Sequence, residues 1–110
     1  MAQAETRGEA TSWIYSSLRG EADFAEILPF FVDELPEKRG ILQGLAEAFD
    51  FDNLQREAHK LRGSAGGYGF QEVSDLAGRL EDSCKIPMRD RSSILQNLDE
   101  LLDHLERVRV

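Results

Sequence analysis

Residues 53–84 read NLQREAHKLRGSAGGYGFQEVSDLAGRLEDSC. Leu54, Ala58, Leu61 and Ala65 recur three or four positions apart. Gly66, Gly67, Tyr68 and Gly69 interrupt the pattern, and Val73, Leu76, Ala77, Leu80 and Cys84 resume it. An apolar stripe on a 3.6-residue period belongs to an amphipathic helix, and a glycine cluster is a helix stop. The spacing therefore predicts helices from Asn53 to about Gly66 and from Gln71 to about Cys84, folded back on each other as an antiparallel hairpin.

The flanking sequence extends the same pattern. Phe24, Ile27, Leu28, Phe31 and Leu35 keep helical spacing, and Ile41, Leu42, Leu45, Ala46 and Phe49 continue it beyond Pro36. An interior proline removes one backbone hydrogen bond and clashes with the preceding turn, so the run is one kinked helix or two abutting helices, with the kinked helix preferred. Asp50 to Asn53 is expected as a polar turn with Asp52 as the next cap. Lys85 to Asp90, containing Pro87, reads as a loop, and Ser92 caps a last helix carrying Ile94, Leu95, Leu98, Leu101, Leu102, Leu105 and Val108. A short opening helix is expected from Thr11 or Ser12 to Leu18, stopped by Gly20. The fold class expected is all-α, an antiparallel four-helix bundle with a short extra N-terminal helix. One domain spans 1–110, with 1–10 as a disordered tail.

Composition narrows the function. A formal net charge of −8 on 110 residues argues against a nucleic-acid or anionic-membrane partner, because both need clustered Lys and Arg. No apolar run approaches the roughly 18 residues of a membrane span, and MAQAETRGEA has no signal-peptide core. The expectation is a monomer in the cytoplasm. The single cysteine, Cys84, lies on an inner face and suits core packing, and two distant histidines with one cysteine offer no metal spacing. Neither a metal nor a cofactor is expected.

Against the stripe of its helix, His59 projects roughly 130° from the core direction and should face solvent. Gly63 and Gly66 fall one and two turns beyond it, where each costs about 1 kcal/mol relative to alanine, so something must approach this face closely. Lys60 and Arg62 beside His59 make a small basic island able to neutralise a phosphoryl group or an acidic partner. Glu81 and His59 each stand eleven residues from Phe70, which at 1.5 Å per residue puts them at one level on the two helices. A carboxylate there would hold the proton on Nδ1 and leave the lone pair on Nε2. His104, near a helix C-terminus, reads as structural, and Phe30, Phe31 and Phe49 as core, with room for one or two on a partner-facing surface.

Residues 58–70, AHKLRGSAGGYGF, resemble the phosphorylation motif of histidine-containing phosphotransfer (HPt) domains, through His59, Leu61, Gly63, Ser64, Ala65 and Gly69. Arg62 departs from the family's usual lysine but keeps the charge. The resemblance implies a phosphocarrier that accepts a phosphoryl group on His59 through Nε2, with Glu81 orienting the ring. It also implies exchange with a response-regulator receiver domain that supplies its own Mg²⁺, and a histidine kinase or hybrid kinase upstream.

Two rival readings are weighed against it. An autokinase needs a nucleotide site, and neither a G-x-x-x-x-G-K-S/T loop nor a His-Glu-x-x-x-Pro pattern occurs, so no enzyme with its own ATP site is expected. The other rival is an unphosphorylated helical interaction module that retains the HPt fold.

Overall fold

The computed structural model describes residues 12–85 and 90–110. Among these residues the helices are α1 (Ala22–Ala25), α2 (Leu28–Glu47), α3 (Phe51–Gly67), α4 (Gln71–Lys85) and α5 (Arg91–Arg107). The four long helices form the bundle, with α3 on α4 as its closest pair. Each apolar stripe named above supplies the core: Leu54, Ala58, Leu61 and Ala65 are buried on α3, and Val73, Leu76, Ala77, Leu80 and Cys84 on α4. Leu28, Phe31, Leu35, Leu42 and Ala46 face them from α2, and Ile94, Leu98, Leu101 and Leu105 from α5.

The turn between α3 and α4 follows from one residue. Gly69 takes φ +85°, a left-handed conformation in which a side chain is strained. Its N–H donates to the Gly66 carbonyl at 3.1 Å, and that of Phe70 donates to the Ala65 carbonyl at 2.8 Å. These two bonds satisfy the last carbonyls of α3 and reverse the chain in the Schellman arrangement. The same pair of bonds ends α2, from Phe49 to Ala46 and from Asp50 to Leu45. There the left-handed position is held by a non-glycine residue, Phe49, at φ 56°.

α2 runs unbroken through Pro36, as the kinked-helix reading expects, although it begins at Leu28, leaving Phe24 in α1 and Ile27 ahead of the helix. Pro29 lies in its first turn, where an absent N–H leaves no bond unmade.

Several local expectations are corrected. The segment 12–18 is not helical: Ile14 is extended and donates to the Arg107 carbonyl at 2.8 Å, while Arg109 donates back to Ile14 at 2.9 Å. Ser17 N–H donates to the Gly69 carbonyl and Ser16 Oγ to that of Tyr68, so this strap ties the end of α3 to the end of α5. Partners outside the segment satisfy its backbone better than one short helical turn would. The short helix ahead of the bundle is instead α1.

The caps are also displaced. Asp50, not Asp52, caps α3 by accepting from Asn53 N–H at 3.2 Å, and Phe51, assigned to a polar turn, is its buried first residue. Asp90, not Ser92, caps α5, accepting from Ser92 N–H at 3.1 Å. Of the aromatic residues read as core, only Phe31 is buried; Phe30 and Phe49 are 69% and 55% exposed. Phe49 lies under the Arg91 guanidinium, 4.1 Å from its ring centre. The expected tail at 1–10 and the loop interior at 86–89 lie outside the described residues.

Candidate phosphoacceptor site on the α3–α4 hairpin

Because α3 and α4 rise equally from the turn at Phe70, residues equidistant from it meet. Gly66 faces Ser74, Arg62 crosses Gly78, and His59 reaches Glu81. His59 Nδ1 lies 2.9 Å from Glu81 Oε2. The imidazole is 72% exposed, whereas the Glu81 side chain is only 4% exposed.

Glu81 is a buried acid with several donors. Arg62 donates from Nη1 to its Oε1 at 3.2 Å, and Lys85 lies 3.1 Å from its Oε2, the oxygen that also serves His59. Burial alone pushes the Glu81 carboxyl up. Hydrogen bonds from Lys85, His59 and Arg62 together outweigh burial and hold it below the ordinary glutamate value. Glu81 is therefore ionised near neutral pH, and a carboxylate can only accept. The shared proton then belongs to His59 Nδ1, and the lone pair to Nε2, on a ring open to solvent. An imidazole held in this way can act as a nucleophile through Nε2.

The remaining residues singled out in the sequence fall into three environments. Lys60 is exposed and pairs with Glu57 on its own helix, 3.1 Å away. Gly63 lies open one turn beyond the imidazole, and a Cβ there would meet nothing within 4 Å. Gly66 leans toward α4 instead, where a Cβ would come 3.3 Å from Ser74 Oγ. Between α2 and the C-terminal part of α3, Phe30, Phe31, Glu34, Lys38, Ser64 and Tyr68 line a separate shallow depression. Phe30 stands out of it, while Phe31 stacks under Tyr68 with centroids 4.8 Å apart.

Three residues around His59 escaped the sequence reading. Gly78 lets Arg62 pass over α4, since a Cβ there would lie 3.2 Å from Arg62 Nε. A glycine in the interior of a helix was the available signal. Ser74, which is buried, donates to the Arg62 carbonyl at 2.8 Å. Lys85 sits four residues after Glu81, a spacing that places both on one helix face, and α4 extends through it instead of giving way to a loop there.

The Hpt domain family model matches residues 26–109, from the segment before α2 through the end of α5. The chain belongs to the Hpt domain family. Hpt domains are helical bundles that take part in phosphotransfer in two-component systems, as phosphocarriers rather than as enzymes with ATP sites. No curated protein and no solved structure matches the chain. Among the described residues, no helix is long and apolar enough to cross a membrane, and no group of three or more His, Cys, Asp or Glu side chains could hold a metal ion. A cavity between α4 and α5, lined by residues including Glu72, Arg79 and His104, does not include His59. His104 there pairs with Glu72 at 3.5 Å.

Proposed function

We propose that His59 is the phosphoacceptor of this Hpt domain, exchanging a phosphoryl group with an aspartate on a receiver domain. The observation carrying this reading is the exposed imidazole whose Nδ1 is hydrogen-bonded to buried Glu81, which leaves Nε2 as the nucleophile. Nε2 attacks the phosphorus of the aspartyl phosphate. The N–P bond forms as the P–O bond breaks, and its electron pair stays on the aspartate carboxylate. The phosphorylated ring keeps its Nδ1 proton, with the Glu81 carboxylate offsetting the positive charge. Transfer in the opposite direction uses the same in-line geometry.

Gly63 leaves the surface one turn beyond the imidazole open, so the receiver's aspartate can reach Nε2. Lys60, exposed at the rim, contributes electrostatic attraction that fades with salt. Phosphate reaches the receiver or this domain from a histidine kinase or hybrid kinase, since the domain has no phosphate-cradling loop of its own.

The test is incubation with receiver domains charged by a small-molecule phosphodonor. Phosphate should move to this protein as an acid-labile, base-stable phosphoramidate, and His59→Gln should abolish the label without loss of helicity. Receivers that keep their phosphate in the presence of the parent protein would identify an unphosphorylated interaction module instead. Label surviving His59→Gln would place the acceptor elsewhere.

A further inference from the structure

Glu81 has both carboxylate oxygens occupied, and the donors come from two helices. His59 and Arg62 reach it from α3, and Lys85 reaches it from one turn farther along α4. These are the charged groups facing Glu81 among the described residues. An ordinary Glu–Lys pair at i,i+4 has both ends in water and contributes little. This pair is asymmetric: the carboxylate is 4% exposed, while the lysine side chain is half-exposed and brings its ammonium down onto Oε2. That oxygen is also the acceptor for His59 Nδ1.

We propose that Lys85 is a positioning residue, which fixes Oε2 of Glu81 from the same helix and so sets the orientation and tautomer of the His59 ring. Arg62 alone would hold Oε1 and leave the carboxylate able to turn about that contact. With Lys85 on the second oxygen the carboxylate plane is fixed, and one lone pair of Oε2 remains directed at Nδ1. The ammonium also opposes the effect of burial on Glu81. A protonated Glu81 could donate to Nδ1, which would move the ring proton to Nε2 and remove the nucleophile. Lys85 acts through Glu81 and touches neither the phosphoryl group nor Nε2. Its functional consequence rests on His59 being the acceptor, but its structural claim does not.

The experiment uses the full, unphosphorylated chain with ¹⁵N-labelled histidine and ¹³C-labelled glutamate. In Lys85→Met, which keeps the stem and removes the ammonium, the Glu81 carboxyl titration should move to higher pH. The His59 ring nitrogens should shift from one tautomer toward a mixture. Phosphate loading from a charged receiver should fall several-fold, with the acid limb of its pH profile displaced upward. Lys85→Arg should restore all of these. Lys85→Gln provides a second neutral variant should Lys85→Met disturb helicity. Unchanged Glu81 titration and unchanged His59 ring signals in the neutral variants would overturn the proposal. If the NMR signals move as expected but even the parent takes no phosphate, the acceptor assignment fails and the positioning role stands. If they move while loading is unaltered, the link from positioning to transfer is refuted.

Discussion

Glu81→Gln isolates the charge on the residue beneath His59 while preserving its shape. The carboxylate, 4% exposed and only an acceptor, supports the Nδ1–H tautomer alone. A glutamine amide can present either oxygen or nitrogen to Nδ1, so it supports both tautomers and enforces neither. A hydrogen bond with an ionised partner contributes about 1.5–3 kcal/mol, and a neutral one about half as much. Because the imidazole is 72% exposed, water competes for Nδ1 and the lower end applies. The lost preference is then about 1 kcal/mol, roughly a fivefold change in the ratio of the two tautomers, so the reactive tautomer and the loading rate fall by up to about that factor. Loading should therefore slow without stopping. The assay pairs ¹⁵N spectra of the His59 ring with single-turnover transfer from a charged receiver. A Glu81→Gln protein with the parent's ring signals and the parent's rate would refute the orienting role. Complete loss of transfer with intact helicity would also refute it, by showing that Glu81 does more than orient.

Gly63→Gln should place a side chain on the open floor beside the imidazole and reduce receiver transfer by tenfold or more with little effect on thermal stability; transfer at the parent's rate would show that the receiver does not approach over this position. Glu81 and Asp50 both have carboxyls held below their ordinary values. For Glu81 the bonds from Lys85, His59 and Arg62 overcome its burial, and for Asp50 the side-chain and backbone N–H groups of Asn53 are responsible. A lowered folded-state value means stability that is present above the ordinary value and lost as pH falls through the folded one. Denaturant unfolding should therefore weaken below about pH 4.5, the ordinary value for glutamate, and the gap between parent and Glu81→Gln should narrow there; a gap independent of pH would contradict the depressed carboxylate. Gly69→Ala should lower stability by about 1–2 kcal/mol from the left-handed backbone alone, and by more because the new Cβ collides with Ser16 Oγ, so an unchanged Tm would mean that the strap and turn relax together.

The bundle was legible in the chain because its decisive signal is local. The 3.6-residue period of Leu54, Ala58, Leu61 and Ala65, and of the α4 stripe after Gly69, depends only on the geometry of a helix facing a core. The level of His59 against Glu81 was legible for the same reason: both helices rise by the same amount per residue from one turn, so equal sequence distances give equal heights. Periodicity also turned His59 outward.

What a side chain meets on the outer faces depends on the other helices, and no local pattern contains that. Arg62 looked like a cation for phosphate or a partner, yet its guanidinium crosses Gly78 to Glu81, a path open only because α4 presents a glycine at that level. Gly66 and Gly63 shared a face by spacing, but the approach of Ser74 distinguishes the packed glycine from the open one. Residues 12–18 have too few internal hydrogen bonds to set their own conformation, so carbonyls at Gly69 and Arg107, far away in sequence, draw them into a strap. Phe49 keeps the apolar rhythm and still lies outside, because it occupies the left-handed turn that ends α2 rather than the helix itself. The chain's local pattern thus determines the helices and the height of the acceptor along them, while the packing of α4 against α3 decides which charges surround it.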